Sequence, residues 1–531
     1  MSPQRETPEQ QAERQLAHTE VLSPGVSRLL VVVFLSVIAL VLPLQLVVEM
    51  RRGEGVQIGD LLHTPLRGPD LAAFEEAHED ANIIASWVQP RLQLALSRWG
   101  GAGNSSAVIG RRGWLFYEPG MSHLAGPDPF APHALARRRA MGERNPDPRP
   151  ALAALAEDCA AAGVQLVLLP LSDKAAIHPD QVSRRFNGPI DDPAVAALAQ
   201  WASEQGITVL DPAPWLLEER QQSGRAFLAQ DTHWTPAAME RVAAGVVAHL
   251  REHLTATPAV DWKRRSEEHS RVGDVVDLLR LPPGQGLYAP ETVTLTVIEN
   301  AAGEPWQPQE RAPILLLGDS FSNIFHQDDM GWGSAAGFAA HLAAASGRAV
   351  DQIAINGGGA DAVRLELARR SRPLAGTQVV LYQFSSRDLS HGSWPVIPLP
   401  SSDGPEPVLD PATPPAATTV TLRGRVLVAS PAPSLTAPYE HARGALLLEV
   451  LAVGDDGAVG VPAVGEEILL QTPVMEHRRL RPAARWREGE TLELELRRGV
   501  PARWQGRELL DDTMIFDDRP LWWYDTAAPA P

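Results

Sequence analysis

The chain has 531 residues, about 3.5 times a typical 150-residue domain, so two or three domains are expected. Its 47 Lys+Arg against 65 Asp+Glu give a net charge of -18, which excludes a general nucleic-acid binder needing basic surface for phosphates. The one cysteine, Cys159, excludes an internal disulfide framework and cysteine-built metal sites, and neither of the two lysines, Lys174 and Lys263, sits in a P-loop.

The first informative segment is Leu29 to Val48, twenty residues without a charge. At 1.5 Å per residue such a helix is about 30 Å long, enough to cross a bilayer core. No small-residue cleavage site follows it, so it reads as an uncleaved signal anchor. Three arginines on each side leave its orientation undecided by charge. Residues 1–28 read as a polar cytoplasmic tail, and 49–100 as a membrane-proximal helical segment.

From 101 to 393 strands and helices alternate. Val164–Pro170, Ile207–Leu210, Ile314–Leu317, Val350–Ile355 and Val379–Phe384 are short continuous apolar runs. That pattern fits strands covered on both faces. Ala226–Leu228 reads as a further short strand. Helical runs fall between them, among them one from Pro236 with Thr235 as its N-cap. The expectation is an α/β domain with a mostly parallel sheet. Eight prolines between Pro395 and Pro415 then predict an extended linker (394–416) that joins no core. Beyond it, alternating runs at Val420–Val428, Ala445–Val453, Glu467–Gln471 and Thr491–Leu496 predict a small all-β domain over 417–531.

Two short motifs carry chemistry. Gly318-Asp319-Ser320-Phe321-Ser322 follows directly on a strand, where an α/β protein displays a nucleophile and free N–H groups can hold an oxyanion. Ser320 is equally able to serve as a plain helix cap. Asp231-Thr232-His233-Trp234-Thr235 precedes a helix. A nucleophilic serine needs a base, and the base an orienting carboxylate. Two residues apart in an extended segment, Asp231 and His233 would share a side, with one imidazole nitrogen held and the other facing Ser320. A metal site is the rival for that pair, with His326 as third ligand.

These motifs belong to a wider resemblance. The chain resembles the SGNH-hydrolase-like family of the alginate O-acetyltransferases AlgJ and AlgX over about residues 105–390. Five blocks carry the likeness: Arg111 to Tyr117 (RRGWLFY), Leu169 to Lys174 with His178-Pro179-Asp180, the DTHWT and GDSFS blocks, and Val379 to Leu389 (VVLYQFSSRDL). The family's pattern differs at Ser172, His178, Gln383 and Ser385, which puts polysaccharide-facing contacts in doubt more than Ser320, His233 and Asp231. The resemblance implies Ser320 as nucleophile, His233 as general base and acid, and Asp231 as its orienter, in a two-step acetyl transfer onto a polysaccharide hydroxyl. Oxyanion donors would come from the Ser320 N–H and from Asn356, Gly357 and Gly358. Lys174 is a candidate substrate contact, with a salt bridge to Asp173 or Asp180 as the alternative; Arg387 is another candidate. Trp234, Trp332 and Trp394 would either stack on sugar rings or belong to the core.

The overall expectation is a membrane-anchored, extracytoplasmic enzyme with an SGNH-like α/β domain, an N-terminal transmembrane helix and a C-terminal β domain. It needs no cofactor or metal. Its partners would be a polysaccharide acceptor and a multi-pass membrane acyltransferase that supplies the acetyl group. An acetylesterase using the same residues and a non-catalytic polysaccharide-binding protein remain the rivals.

Overall fold

The computed structural model describes residues 25–26, 28–32, 34–36, 39, 83–255, 260–400, 419–433, 439–454, 461–513, 515, 519 and 521–525. Of the expected span Leu29–Val48, residues 29–32, 34–36 and 39 are helical and exposed; the others lie outside the described residues. Among the described residues no helix is long and apolar enough to cross a membrane. The segment 49–100 carries a helix at Ile83–Ala95 and a π turn at Leu96–Gly100.

The α/β region is built on five strands: β1 (Gln165–Leu171), β2 (Thr208–Val209), β3 (Ile314–Gly318), β4 (Val350–Ala354) and β5 (Val379–Ser385). Their order is β2-β1-β5-β3-β4, and every pairing is parallel. Every residue of β3 and β5 is buried, as both faces are covered by helices and loops. That is the physical reason those strands read as unbroken apolar runs rather than as alternations. Thr235 caps helix Pro236–Leu250 as expected, its Oγ1 accepting from Ala238 N–H at 3.2 Å. In a parallel sheet all carboxyl ends face one way. The segments after β1, β3, β4 and β5 therefore gather at one edge, the usual place for a ligand site.

Three elements depart from the expectation. Ala226–Leu228 is no strand; Phe227 makes one isolated antiparallel bridge, to Trp234. A long antiparallel hairpin, Lys263–Arg271 with Glu291–Glu299, is added. The proline-rich stretch does join a core at its start: Ile397 is buried with Leu365 and Ala368, and Pro395 O accepts from Arg364. Residues 401–418 of the linker lie outside the described residues.

The C-terminal region adds β6 (Val420–Ala429), β7 (Ala442–Val453), β8 (Glu467–Glu476), β9 (Arg479–Leu480), β10 (Thr491–Arg498), β11 (Glu508–Leu510) and β12 (Leu521–Trp523). The pairings β8-β12-β10-β6-β7 return to β8, so these five strands close into a barrel. Closure removes free edges, and the alternating pattern of β6 and β10 puts one face inside and one in water.

The barrel is not a detached accessory. Leu509 sits in the α/β core beside Phe384 and Leu389. Gln471 Nε2 donates to Glu366 at 3.1 Å, Arg369 pairs with Asp511, and Asn356 N–H donates to Gly506 O at 2.9 Å.

Candidate active site

The DTHWT block occupies the loop before helix Pro236–Leu250, and it is a bend rather than an extended strand. Asp231 and His233 meet through an Asx turn: Asp231 Oδ1 accepts His233 N–H at 3.1 Å and His233 Nδ1 at 2.6 Å. Asp231 Oδ2 accepts Asp274 N–H and Trp332 Nε1, each at 3.1 Å. Burial opposes this carboxylate's charge, but the imidazole and these donors outweigh it and hold its pKa well below the ordinary range. Burial likewise opposes a charged His233, and the Asp231 hydrogen bond and charge outweigh it, raising the imidazole's pKa.

The loop is gripped on both polarities. Glu291 accepts from the N–H groups of Ala229 (3.0 Å) and Gln230 (2.7 Å), and Asp274 from Thr232 N–H (2.7 Å). Lys174 Nζ donates to the carbonyls of Leu115 (2.6 Å), Ala229 (2.9 Å) and Asp231 (3.0 Å). All three ammonium protons are thereby used. Lys174 takes neither the substrate role nor the salt bridge expected of it; it pins the loop to the 107–117 hairpin. Burial brings its pKa down to about 7.

Ser320 follows β3 at the start of the short helix Ser320–Asn323. Asp319 caps that turn, accepting Phe321 N–H at 2.8 Å. Gln383 and Ser385 of β5 clamp it. Gln383 Nε2 donates to Asp319 Oδ1 (2.8 Å), its Oε1 accepts Ser322 Oγ (2.7 Å), and Ser385 N–H donates to Asp319 Oδ2 (3.1 Å). These two departures from the family pattern are buried supports of the Ser320 turn, not polysaccharide-facing residues.

Phe321 brings the two motifs together, its ring centroid 4.7 Å from that of His233. His233 Nε2 is buried and has no hydrogen-bond partner among the described residues. Ser320 Oγ instead accepts from the hydroxyl of Tyr439, at 3.1 Å. Tyr439 belongs to the barrel region, just ahead of β7. Burial, only partly offset by that hydrogen bond, keeps its phenol protonated with a pKa well above 10. Ser320 is 1 % exposed.

The Asn356-Gly357-Gly358-Gly359 loop lies where expected, after β4, but with other duties. Asn356 Oδ1 accepts from Asn323 (2.9 Å) and its Nδ2 donates to Gln327 (3.3 Å). Gly357 has φ 73°, and a Cβ there would stand 2.8 Å from the Tyr439 ring. Its lack of a side chain admits Tyr439 to Ser320. Glu508 of β11 reaches the same glycine, its carboxyl pushed up to about 7 by burial.

The tryptophans are core. Trp234 is fully buried, donates to Phe321 O at 3.1 Å and packs on Phe338; Trp332 holds Asp231; Trp394 packs on Phe384. None is placed to stack on a sugar. Arg387 bonds Asp173 at 3.3 Å, with its guanidinium over the Tyr117 and Phe321 rings. His326 packs against Trp306 at 5.5 Å, and the acidic group that joins Asp231 and His233 is Asp274, 3.6 Å from Nδ1. Asp274, Glu291, Tyr439 and Glu508 were not foreseen from the sequence; no local motif marks them.

A small cleft of about 40 Å³ opens between Asp231, Asp274, Asn356, Tyr439 and Arg507. It has room for a water or two, not for a sugar ring.

A family model described as the SGNH hydrolase-like domain of the acetyltransferase AlgX matches residues 107–386. The probable alginate O-acetylase AlgJ of Pseudomonas aeruginosa is 29% identical over 268 residues, 48% of this chain and 63% of that protein. AlgJ of Azotobacter vinelandii is 27% identical over 274 residues, 49% of this chain and 66% of that protein. The chain thus spans just under two thirds of the length of these curated relatives. Among solved structures, the O-acetyltransferase domain of Pseudomonas putida AlgJ is 21% identical, covers 54% of this chain and 92% of its own, and has a TM-score of 0.41.

Proposed function

As a member of the SGNH hydrolase-like acetyltransferase family of AlgX, to which its residues 107–386 assign it, this chain is one that we propose transfers an acetyl group through a serine ester onto hydroxyls of an exported polysaccharide. The observation that carries the reading is the buried imidazole of His233. Asp231 holds its Nδ1 at 2.6 Å, and its Nε2 is left unpartnered beside the Ser320 turn. A buried polar atom without a partner is rare, and here it is the lone pair a general base needs.

In the proposed first step His233 Nε2 takes the Ser320 proton while Oγ bonds to the acetyl carbon. The donor's leaving group departs with that proton. In the second step a sugar hydroxyl gives its proton to Nε2 and attacks the ester carbonyl, and Ser320 leaves with the proton. Asp231 steadies the imidazolium in both. The Ser320 N–H and the Gly357 N–H are the candidate oxyanion donors, the Asn356 and Gly358 N–H groups being engaged with Gly506 O and Ile355 O. The named relatives are probable alginate O-acetylases; for this chain the proposed acceptor is a polysaccharide of that kind, and the proposed acetyl donor a multi-pass membrane acyltransferase. The reading places the α/β and barrel regions outside the cytoplasm, with the apolar run Leu29–Val48 as the segment to test as a membrane anchor.

Acetyl release from p-nitrophenyl acetate tests the nucleophile. Ser320→Ala should lower the rate at least about 10³-fold with the fold intact. Equal rates in folded wild type and variant would overturn the proposal. Acetylated oligosaccharide, against free acetate, then separates transfer from hydrolysis.

A further inference from the structure

The arm that carries Tyr439 runs directly into a second cluster. Glu440 and His441 are its next two residues, and His477 stands at the turn between β8 and β9. One oxygen or ring nitrogen from each of these three side chains lies within 4.8 Å of the others. The meeting is built. Arg478 N–H donates to Glu440 O at 2.9 Å, the imidazoles of His441 and His477 stand edge to face 4.7 Å apart, and His477 Nδ1 is 4.0 Å from Glu440 Oε2. The turn sets His477 at φ 49° and Arg478 at φ 56°, a region L side chains rarely adopt. His441 is half-buried, and its Nδ1, itself shielded from solvent, has no hydrogen-bond partner among the described residues.

We propose that Glu440, His441 and His477 bind a divalent transition-metal ion of the zinc class. Two imidazoles and one carboxylate suit such an ion better than Mg²⁺ or Ca²⁺, which prefer oxygen alone. Three protein ligands leave a fourth position for water. Tetrahedral ligands about 2.0–2.1 Å from zinc stand about 3.3 Å apart, so the cluster must tighten, and rotation of the exposed His477 side chain provides that. The other acidic and imidazole group, Asp231, His233 and Asp274, is a poorer host, because the Asp231 oxygens and His233 Nδ1 are already engaged with one another and with Trp332. A bound ion ties the Tyr439 arm to the β8–β9 turn and so steadies the residue that covers Ser320. The site itself does not depend on the acetyl-transfer reading.

Zinc binding by the untagged full chain tests this, read by metal content after dialysis and by thermal unfolding with Zn²⁺ or with a chelator. One zinc per chain and a higher Tm with zinc are expected. His477→Ala, at an exposed turn position, and Glu440→Gln should each weaken zinc binding at least tenfold and remove the Tm shift. His253→Ala, which disrupts the separate His249–His253 pair with rings 6.2 Å apart, should leave both unchanged. No zinc on the wild type, or zinc affinity and Tm shift retained in both His477→Ala and Glu440→Gln, would overturn the proposal.

Discussion

Asp231 accepts four hydrogen bonds, two on each oxygen, from His233 Nδ1, His233 N–H, Asp274 N–H and Trp332 Nε1. An ionised carboxylate suits four donors and an amide does not. Asp231→Asn turns an NH₂ group toward one pair of donors and removes the charge that keeps the His233 pKa up. We expect kcat to fall on the order of 10³–10⁴-fold, the scale for losing a triad carboxylate. The acid limb of kcat/KM should move to lower pH, because burial then pulls the imidazole down against only the more weakly acting charges of Asp274 and Asp319. A limb that stays in place would show that His233 is not the titrating base. The sign for stability follows from the same shift. The raised pKa stabilises the fold below the usual histidine value of about 6.5, and this contribution is lost as pH rises through the raised value. The Asp–His pairing was legible from two-residue spacing. Its geometry was not, because an Asx turn, rather than strand alternation, brings the two together.

The loop 229–233 takes its shape from neighbours far away in sequence. Carboxylates of Glu291 and Asp274 hold its N–H groups, and Lys174 holds its carbonyls. The added hairpin supplies Glu291, and Asp274 follows its first strand. That strand, KRRSEEHSR, has no fully buried residue, so it carries no hydrophobic period to read. Gly273 lets the hairpin's end approach: a Cβ there would stand 2.3 Å from Gln230 O and 2.6 Å from Asp231 N. Both are backbone atoms with little room to yield. Gly273→Ala should displace Asp231 from His233, lowering Tm by several degrees and activity by at least about tenfold. Unchanged activity in this variant would show that the loop does not need the close approach.

The α/β region and the barrel share buried structure through Leu509, the Gln471–Glu366 bond and the Arg369–Asp511 pair. Breaking such buried contacts on one side leaves charged partners stranded on the other. Calorimetry should therefore show one cooperative transition for the two regions; two separated transitions would contradict the shared core. The barrel also closes the site, since Tyr439 lies on Ser320 and the adjoining cleft is about 40 Å³. On the proposed function, an acceptor sugar would reach Ser320 only when that ring withdraws. Tyr439→Ala should admit water, raising hydrolysis of p-nitrophenyl acetate while lowering the fraction of acetyl passed to an oligosaccharide. A rise in both, or in neither, would show that the ring does not guard the serine against water.

The sequence by itself determined what is local. Continuous apolar runs set the covered parallel strands to within a residue or two, alternation set the β region, and the GDS and DTH blocks named Ser320, His233 and Asp231 as the residues to examine. These signals are periodic or contiguous, so they survive in one dimension. Only the tertiary structure decided that Trp234 is core, that Lys174 pins a loop, and that Gln383 and Ser385 clamp the Ser320 turn. It alone brought Asp274, Glu291 and Tyr439 to the site. Each of those roles depends on a partner distant in sequence, and single residues of ordinary type carry no local mark of which distant backbone or side chain they will meet.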